Sequence, residues 1–315
     1  MSRTETEIAT QPECWRRAVE LAARPDGPAR TGMPRPGERV AVVGCGTSWF
    51  MGHSYAVLRE AAGHGETDAF AASEVPPGRS YDRVVALSRS GTTTEVLDAI
   101  RRLRGVTPRV AVTAVTADPR SPLAALAGVT VALDFADEES VVQTRFATTE
   151  LVLLRALLGE DLGHLAGQGA QALSEPLAPS GGAAAGGPTS LHGLLAAGQF
   201  TFLGRGWAYG VALEAALKLR EAARVWTEAY PAMEYRHGPI SIAAPGRVVW
   251  WFGDRAALPA GLADDIARTG GRLIAPGRDP LADLIVVQRL AVALASARGL
   301  DPDRPRHLTR SVILA

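Results

Sequence analysis

Glu214, Lys218 and Glu221 stand at i, i+4 and i+7, so one face of a helix would carry an ammonium between two carboxylates. A carboxylate beside a cation suits general-base work, moving a proton next to a carbonyl. The same spacing also serves a structural ion pair on an exposed stripe, worth about 0.3–0.5 kcal/mol and carrying no function. Lys218 is the only lysine in the chain, against 32 arginines. Codon bias alone can produce such scarcity, and the place of the one survivor favours the chemical reading. Further on, His237 directly precedes Gly238-Pro239, a pair that cannot continue a helix. Its imidazole is expected at a helix end, facing outward, as a solvated cap or as an acid/base group. No Cys or second His lies at ligand spacing from it, so no metal is expected.

A second kind of chemistry is written in hydroxyls. Ser88-Arg89-Ser90-Gly91-Thr92-Thr93-Thr94 places five hydroxyl side chains in seven residues, after the apolar run 84–87 and before a helical pattern. A helix N-terminus offers free N–H groups and the positive end of the dipole, and hydroxyls add donors, so such a segment can hold a phosphate without a metal. Simple capping of the helix is the competing use. The segment is not a P-loop, because G-x-x-x-x-G-K-[ST] is missing. Gly44-Cys45-Gly46-Thr47-Ser48 forms another strand–glycine–hydroxyl junction, and Phe50 stands where a dinucleotide fingerprint needs its third glycine.

These residues need a frame to position them. Short β-branched runs at 39–43, 84–87, 110–113 and 129–133 read as buried strands, with helices at 48–62, 92–104 and 143–158 between and after them. Alternation at this spacing means a parallel sheet with helices on both faces. The pattern recurs later: strands at 199–203, 248–252 and 272–275, helices at 208–226, 260–269 and 284–298. Phe202-Leu203-Gly204-Arg205-Gly206 repeats the strand and G-x-G of Val42-Val43-Gly44-Cys45-Gly46, which points to two copies of one doubly wound unit. Between the copies, 12 of the 13 residues in 176–188 are Pro, Gly, Ala or Ser, the composition of a linker.

Length and composition agree with this. Two domains suit 315 residues, and 47% apolar with 21% charged residues is ordinary for a globular chain. Lys+Arg and Asp+Glu are both 33, so no basic excess exists to collect phosphates along a nucleic acid. Cys14 and Cys45 make no disulfide framework, which fits a reducing, cytoplasmic setting. No charged segment followed by an apolar run opens the chain, so no signal peptide is expected. The uncharged stretch 176–204 is broken by proline and glycine, so no membrane span is expected there either.

Taken together, these motifs resemble the double sugar-isomerase (SIS) domain proteins, above all the isomerase half of glucosamine-6-phosphate synthase. The match is carried by Gly44-Cys45-Gly46-Thr47-Ser48, Ser88-Arg89-Ser90-Gly91-Thr92-Thr93, Gly204-Arg205-Gly206, the run from Ala212 to Glu221, Glu228-Ala229-Tyr230, Glu234, His237-Gly238-Pro239 and the tail 301–312. The resemblance implies an α/β chain of two flavodoxin-like, three-layer α/β/α SIS sandwiches with parallel sheets. Its domains would be 1–175 with an N-terminal helix, the linker 176–188, a second SIS domain over 189–300 and a tail, 301–315, closing over the site. It implies a sugar-phosphate ligand, no cofactor or metal, and a homodimer. Ser48, Ser88, Ser90 and Thr93 resemble the phosphate holders, with Gly46, Thr47, Arg89 and Gln143 at the same binding positions. Glu221 is similar to the base that moves a proton between C1 and C2 of the open-chain sugar, and Glu214 and Lys218 to its supporting charges. His237 resembles the ring-opening acid/base, supplied across the dimer interface.

Three departures from that pattern bear on function. The synthase's glutamine-hydrolysing domain is missing from these residues and no cysteine is placed to act as an N-terminal nucleophile, so glutamine is not expected as a nitrogen source. Arg89 stands where the family usually has glutamine, and Gln143 where serine is typical. Arg310 replaces the tail lysine that forms an imine with the ketose phosphate, and a guanidinium stays protonated and cannot do so. The expected activity is therefore phosphosugar aldose–ketose isomerisation or isomerising deamination of an amino-sugar phosphate. A ketosamine-phosphate deglycase and a phosphosugar-binding protein without turnover are the alternatives.

Overall fold

Residues 1–177 and 193–314 are described in the computed structural model. The expected linker lies outside them beyond Leu177, as do 189–192 at the start of the expected second domain. The chain divides into two compact units: Thr10–Ala166 with the segment from His307 onward, and Met1–Ala9 with Gly167–Arg306. The division thus comes earlier than 175, and each chain end belongs to the other half's unit. α1 (Arg3–Ala9) joins the second because the Asp303 carboxylate accepts from Arg3 N at 2.8 Å, Thr4 N at 2.9 Å and Thr4 Oγ1 at 2.7 Å.

In the first unit, α2 (Gln11–Ala22) and α3 (Pro28–Gly32) lead to β1 (Val40–Gly44), α4 (Thr47–Ala61), β2 (Thr67–Ala71), β3 (Arg83–Leu87) and α5 (Thr94–Val106). β4 (Ala111–Thr116), α6 (Pro122–Leu126), β5 (Val129–Ala132) and α7 (Arg145–Leu157) follow. The strands form one parallel sheet in the order β2-β1-β3-β4-β5. Ala41, Val43, Val84, Ala86, Val112 and Ala114 pack against Val96 and Ile100 of α5 on one face. On the other face Gly52 of α4 comes so close to Val42 that a Cβ would lie 2.9 Å from its Cγ1. Helices on both faces are why the inner strands read as unbroken apolar runs.

The second unit repeats the winding. After α8 (Leu165–Ser174) come β6 (Gln199–Gly204), α9 (Ala208–Ala223), β7 (Trp226–Pro231), β8 (Arg247–Phe252), α10 (Leu262–Arg268), β9 (Arg272–Ile274) and α11 (Pro280–Ala297). The sheet is parallel, in the order β7-β6-β8-β9, which is the first sheet's order less its last strand. Leu203, Val249 and Trp251 face Leu262 and Ile266 of α10. Phe200, Phe202, Trp250 and Phe252 make a ring cluster with centroids 6.0–6.5 Å apart. Trp250 Nε1 donates to Asp283 of α11 at 2.7 Å. By length and hydropathy α11 could cross a bilayer, but it lies buried against α9 as a core helix.

Two sequence expectations change. The helix expected over 208–226 ends at Ala223, where Arg224 turns into the left-handed region at φ 52° and the chain enters β7. β2 and β7 themselves were not expected. Both are edge strands beside the first strand of their sheet, half-exposed and mixed in composition, so neither shows the apolar run of a buried strand.

Candidate functional site

β1 and β3 are neighbours, and the helices that follow them begin at the strands' carboxyl ends, the switch-point geometry where doubly wound sheets take ligands. Gly44 ends β1. A Cβ there would lie 2.7 Å from the Ser48 carbonyl carbon and 2.8 Å from Trp49 N, so glycine lets the first turn of α4 press against the strand. Gly46, at φ 53°, is the N-cap of α4, and Thr47 and Ser48 lie buried inside its first turn. From β3 the chain enters a tight hydroxyl loop. Gly91 N donates to Ser88 Oγ at 3.2 Å, Thr92 N and Thr92 Oγ1 donate to Ser90 Oγ at 3.2 and 3.0 Å, and Ser88 Oγ is 3.4 Å from Thr93 Oγ1. Gly91 is at φ 62°, and a Cβ on it would strike Ser121 Oγ at 2.1 Å. Thr93 is the N-cap of α5, yet its hydroxyl makes no capping bond. The hydroxyls therefore converge on one another rather than on the helix they precede.

The C-terminal tail lies on this loop. Ser311 Oγ is 3.2 Å from Ser90 Oγ, 3.0 Å from Thr92 Oγ1 and 3.4 Å from Thr93 Oγ1. Arg310 pairs with Asp137, its Nη2 donating to Oδ1 at 2.6 Å and Oδ2 at 2.8 Å, and also donates to the Glu138 carbonyl. Arg89, expected among the binding positions, buries its guanidinium instead. Nη1 donates to the Ser140 carbonyl at 2.9 Å, Nη2 to the Arg310 carbonyl at 3.0 Å, and Glu138 Oε2 lies 3.8 Å away. The Glu138 carboxylate in turn accepts from Thr144 N and Thr144 Oγ1 at 2.6 Å, Arg145 N at 2.8 Å and Phe146 N at 3.3 Å. It thereby fills the anion position at the N-terminus of α7. Gln143 is half-buried just before that helix, its Oε1 without a hydrogen-bond partner among the described residues. Beside the tail opens a cavity of about 760 Å³, lined by Ser90, Thr92, Asp118, Arg120, Asp137 and Arg310 among others. Sequence reading missed Asp137, Glu138 and Ser311. The acidic run Asp137-Glu138-Glu139 ahead of Thr144 was the available cap signal.

In the second unit α9 builds the charged stripe. Lys218 Nζ is 3.2 Å from Glu214 Oε1 and 2.7 Å from Glu221 Oε2. Glu214 and Lys218 are buried, whereas the Glu221 side chain keeps 17% exposure. An exposed surface pair is therefore ruled out. Burial pulls the Lys218 ammonium down, but the two carboxylates outweigh it and hold the pKa above the ordinary lysine value. His237 ends a single 3₁₀ turn, Glu234–His237, and is exposed before Gly238 at φ 135°. Among the described residues no three His, Cys, Asp or Glu side chains gather as a metal site would require. The structure thus joins Ser88, Ser90 and Thr93 in one cluster, Arg89 and Arg310 in a second, and Glu214, Lys218 and Glu221 in a third.

No family model matches the chain. The glutamine–fructose-6-phosphate aminotransferase [isomerizing] of Gloeobacter violaceus is 30% identical, over 87% of this chain and 52% of its own length. The chain spans about half the length of the curated relatives it matches. The solved glucosamine-6-phosphate deaminase of Thermotoga maritima superposes with a TM-score of 0.78 at 23% identity, covering 99% of this chain and 100% of that one. The chain has the double SIS fold. It resembles the synthase's isomerase half, since the C-terminal domain of the Francisella tularensis glucosamine-fructose-6-phosphate aminotransferase also superposes at 0.78, with 21% identity over 97% of this chain and 98% of that domain. Within the SIS fold, the hydroxyl loop follows β3 of the first sheet and the stripe lies on the helix after the first strand of the second.

Proposed function

We propose that the chain is a sugar-phosphate isomerase that acts on an open-chain hexose or hexosamine 6-phosphate. Glu221 moves the proton between C1 and C2; where C2 carries an amine this gives a C2 imine of the sugar, and water adds to it and displaces ammonia, leaving the ketose. The observation that carries this reading is the Lys218 ammonium between one sealed carboxylate and one carboxylate open to solvent. Lys218 holds the Glu221 carboxylate in a fixed direction at 2.7 Å, while Glu214 balances the buried cation. Ser48, Ser88, Ser90 and Thr93 supply donors for the phosphate, and His237 of a second copy opens the ring in a cytoplasmic homodimer. Arg310 supplies no amine and points to Asp137, so the chemistry runs through an enediol, or an enolamine where C2 carries an amine, and needs no imine with a protein side chain.

Deuterium exchange at C1 of fructose 6-phosphate and at C2 of glucosamine 6-phosphate, followed by NMR, tests the base. Glu221→Gln keeps the shape and is expected to slow exchange by at least about 10²-fold with binding little altered. Exchange that survives in this variant would put the base elsewhere. Tight binding by wild type with no exchange at all would select the alternative that Arg310 favours, a phosphosugar-binding protein without turnover.

A further inference from the structure

The tail segment 310–314 sits on the donors that an anion would use. Ser311 Oγ lies among the hydroxyls of Ser90, Thr92 and Thr93, at 3.0–3.4 Å from each. The Val312 carbonyl accepts at 3.3 Å from Thr94 N, the first residue of α5, whose N–H has no partner within the helix. Leu314 N donates to Thr94 Oγ1 at 3.0 Å. Two oxygen atoms of the chain itself thus stand where two oxygens of a phosphate would be held. The segment is fastened next to these contacts: Arg310 is paired with Asp137, and Arg89 holds the Arg310 carbonyl.

We propose that this segment is an intramolecular competitor for the phosphate position, with the Arg310–Asp137 pair as its latch. The proposal rests on reading Ser88–Thr94 as the phosphate loop. While the tail is seated, Ser311 and Val312 satisfy the loop with a neutral hydroxyl and a carbonyl. A phosphate dianion makes stronger, charge-assisted bonds to the same donors and replaces them, driving the tail outward. Apparent affinity for any phosphate ligand is then lowered by the fraction of molecules with the tail seated, and loosening the latch removes that penalty. The latch lies at the surface, with the Arg310 and Asp137 side chains 42% and 43% exposed, so it can open without disturbing the core.

The test measures binding of inorganic phosphate and of fructose 6-phosphate by calorimetry in the full chain, for wild type, Asp137→Asn, Ser311→Ala and the double variant Ser90→Ala/Thr93→Ala. Both tail variants are expected to bind at least threefold more tightly than wild type, and the loop double variant at least tenfold more weakly. Tail variants that bind equally or less tightly, with the loop variant weakened, would overturn the competition and leave the phosphate loop standing. An unweakened loop double variant would remove the phosphate loop and the competition together. Hydrogen exchange in wild type gives an independent readout: saturating phosphate should speed exchange of the Leu314 N–H, and slower exchange there would mean that the tail closes over the ligand instead of yielding to it.

Discussion

Lys218 is a buried cation whose removal would leave two carboxylates facing each other at short range. Breaking a buried pair by deleting one partner costs about 3–5 kcal/mol, because the remaining charge is uncompensated. Lys218→Met, similar in length and uncharged, should therefore lower stability to urea by about that amount, and a loss below about 1 kcal/mol would mean that the stripe is far wetter than it looks. The sign with pH follows from the raised pKa. The folded chain holds the Lys218 proton more tightly than the unfolded chain does, so its stabilisation is complete below the ordinary lysine value of 10.5 and fades as pH rises through the raised one. The same environment argues against imine chemistry on Lys218, since an ammonium held protonated is no nucleophile. Borohydride with fructose 6-phosphate should trap no adduct on wild type, and a reduced sugar found on Lys218 by mass spectrometry would overturn that expectation. At this scale the clustering of the candidate residues was largely legible. The i, i+4, i+7 spacing of Glu214, Lys218 and Glu221 and the hydroxyl density around Ser88 are local patterns. The partners of Arg89 and Arg310 were hidden, because carbonyls of Ser140 and Glu138 leave no mark in composition.

Gly204 and Gly44 do the same work in the two sheets, each ending the first strand where the following helix presses against it. A Cβ on Gly204 would lie 2.4 Å from the Ala208 carbonyl oxygen and 2.5 Å from Tyr209 N, backbone atoms that cannot swing aside. Gly204→Ala should force α9 away from β6 and cost about 1–3 kcal/mol, as other overpacked sites do. Gly105 makes the matching control: it lies in α5, exposed, with nothing within 4 Å of its would-be Cβ. Gly105→Ala should gain about 0.5–1 kcal/mol. Thermal melts of the two variants are expected to move in opposite directions, and a shared direction would contradict the close-approach argument. The inner strands could be read because helices cover both their faces and demand continuous apolar residues. β2, T-D-A-F-A, and β7, W-T-E-A-Y-P, could not, since an edge strand need not be apolar.

Across the whole molecule, the duplicated winding was readable from the repeated strand and G-x-G, but the exchange of the chain ends was not. It depends on Asp303 meeting Arg3 and Thr4, a pairing 299–300 residues apart in sequence, and on Arg310 meeting Asp137, 173 apart. Stability against pH is another property of the whole, and Asp283 should dominate it on the acid side. Burial pushes its carboxyl from 3.8 up to about 7, against the opposing pull of the Trp250 N–H and Arg278. The folded chain thus prefers Asp283 protonated. Its contribution is full below about pH 3.8 and is lost as pH climbs through about 7. Asp283→Asn keeps an oxygen for Trp250 and sheds the charge, so its melting temperature should exceed that of wild type at about pH 8 and change less from about pH 4 to 7. An unchanged pH profile would remove Asp283 from this role. Asp283 belongs to α11, whose apolar side chains are buried along nearly its whole length, and that has a kinetic side. α11 follows every strand of its sheet in the chain, so during synthesis β6, β7, β8 and β9 leave the ribosome before the helix that covers them. Until α9 and the sheet receive it, 18 residues rich enough in Leu, Ile, Val and Ala to suit a bilayer stand in water. Refolding from denaturant should consequently lose yield steeply as protein concentration rises, because intermolecular capture of that helix competes with its docking.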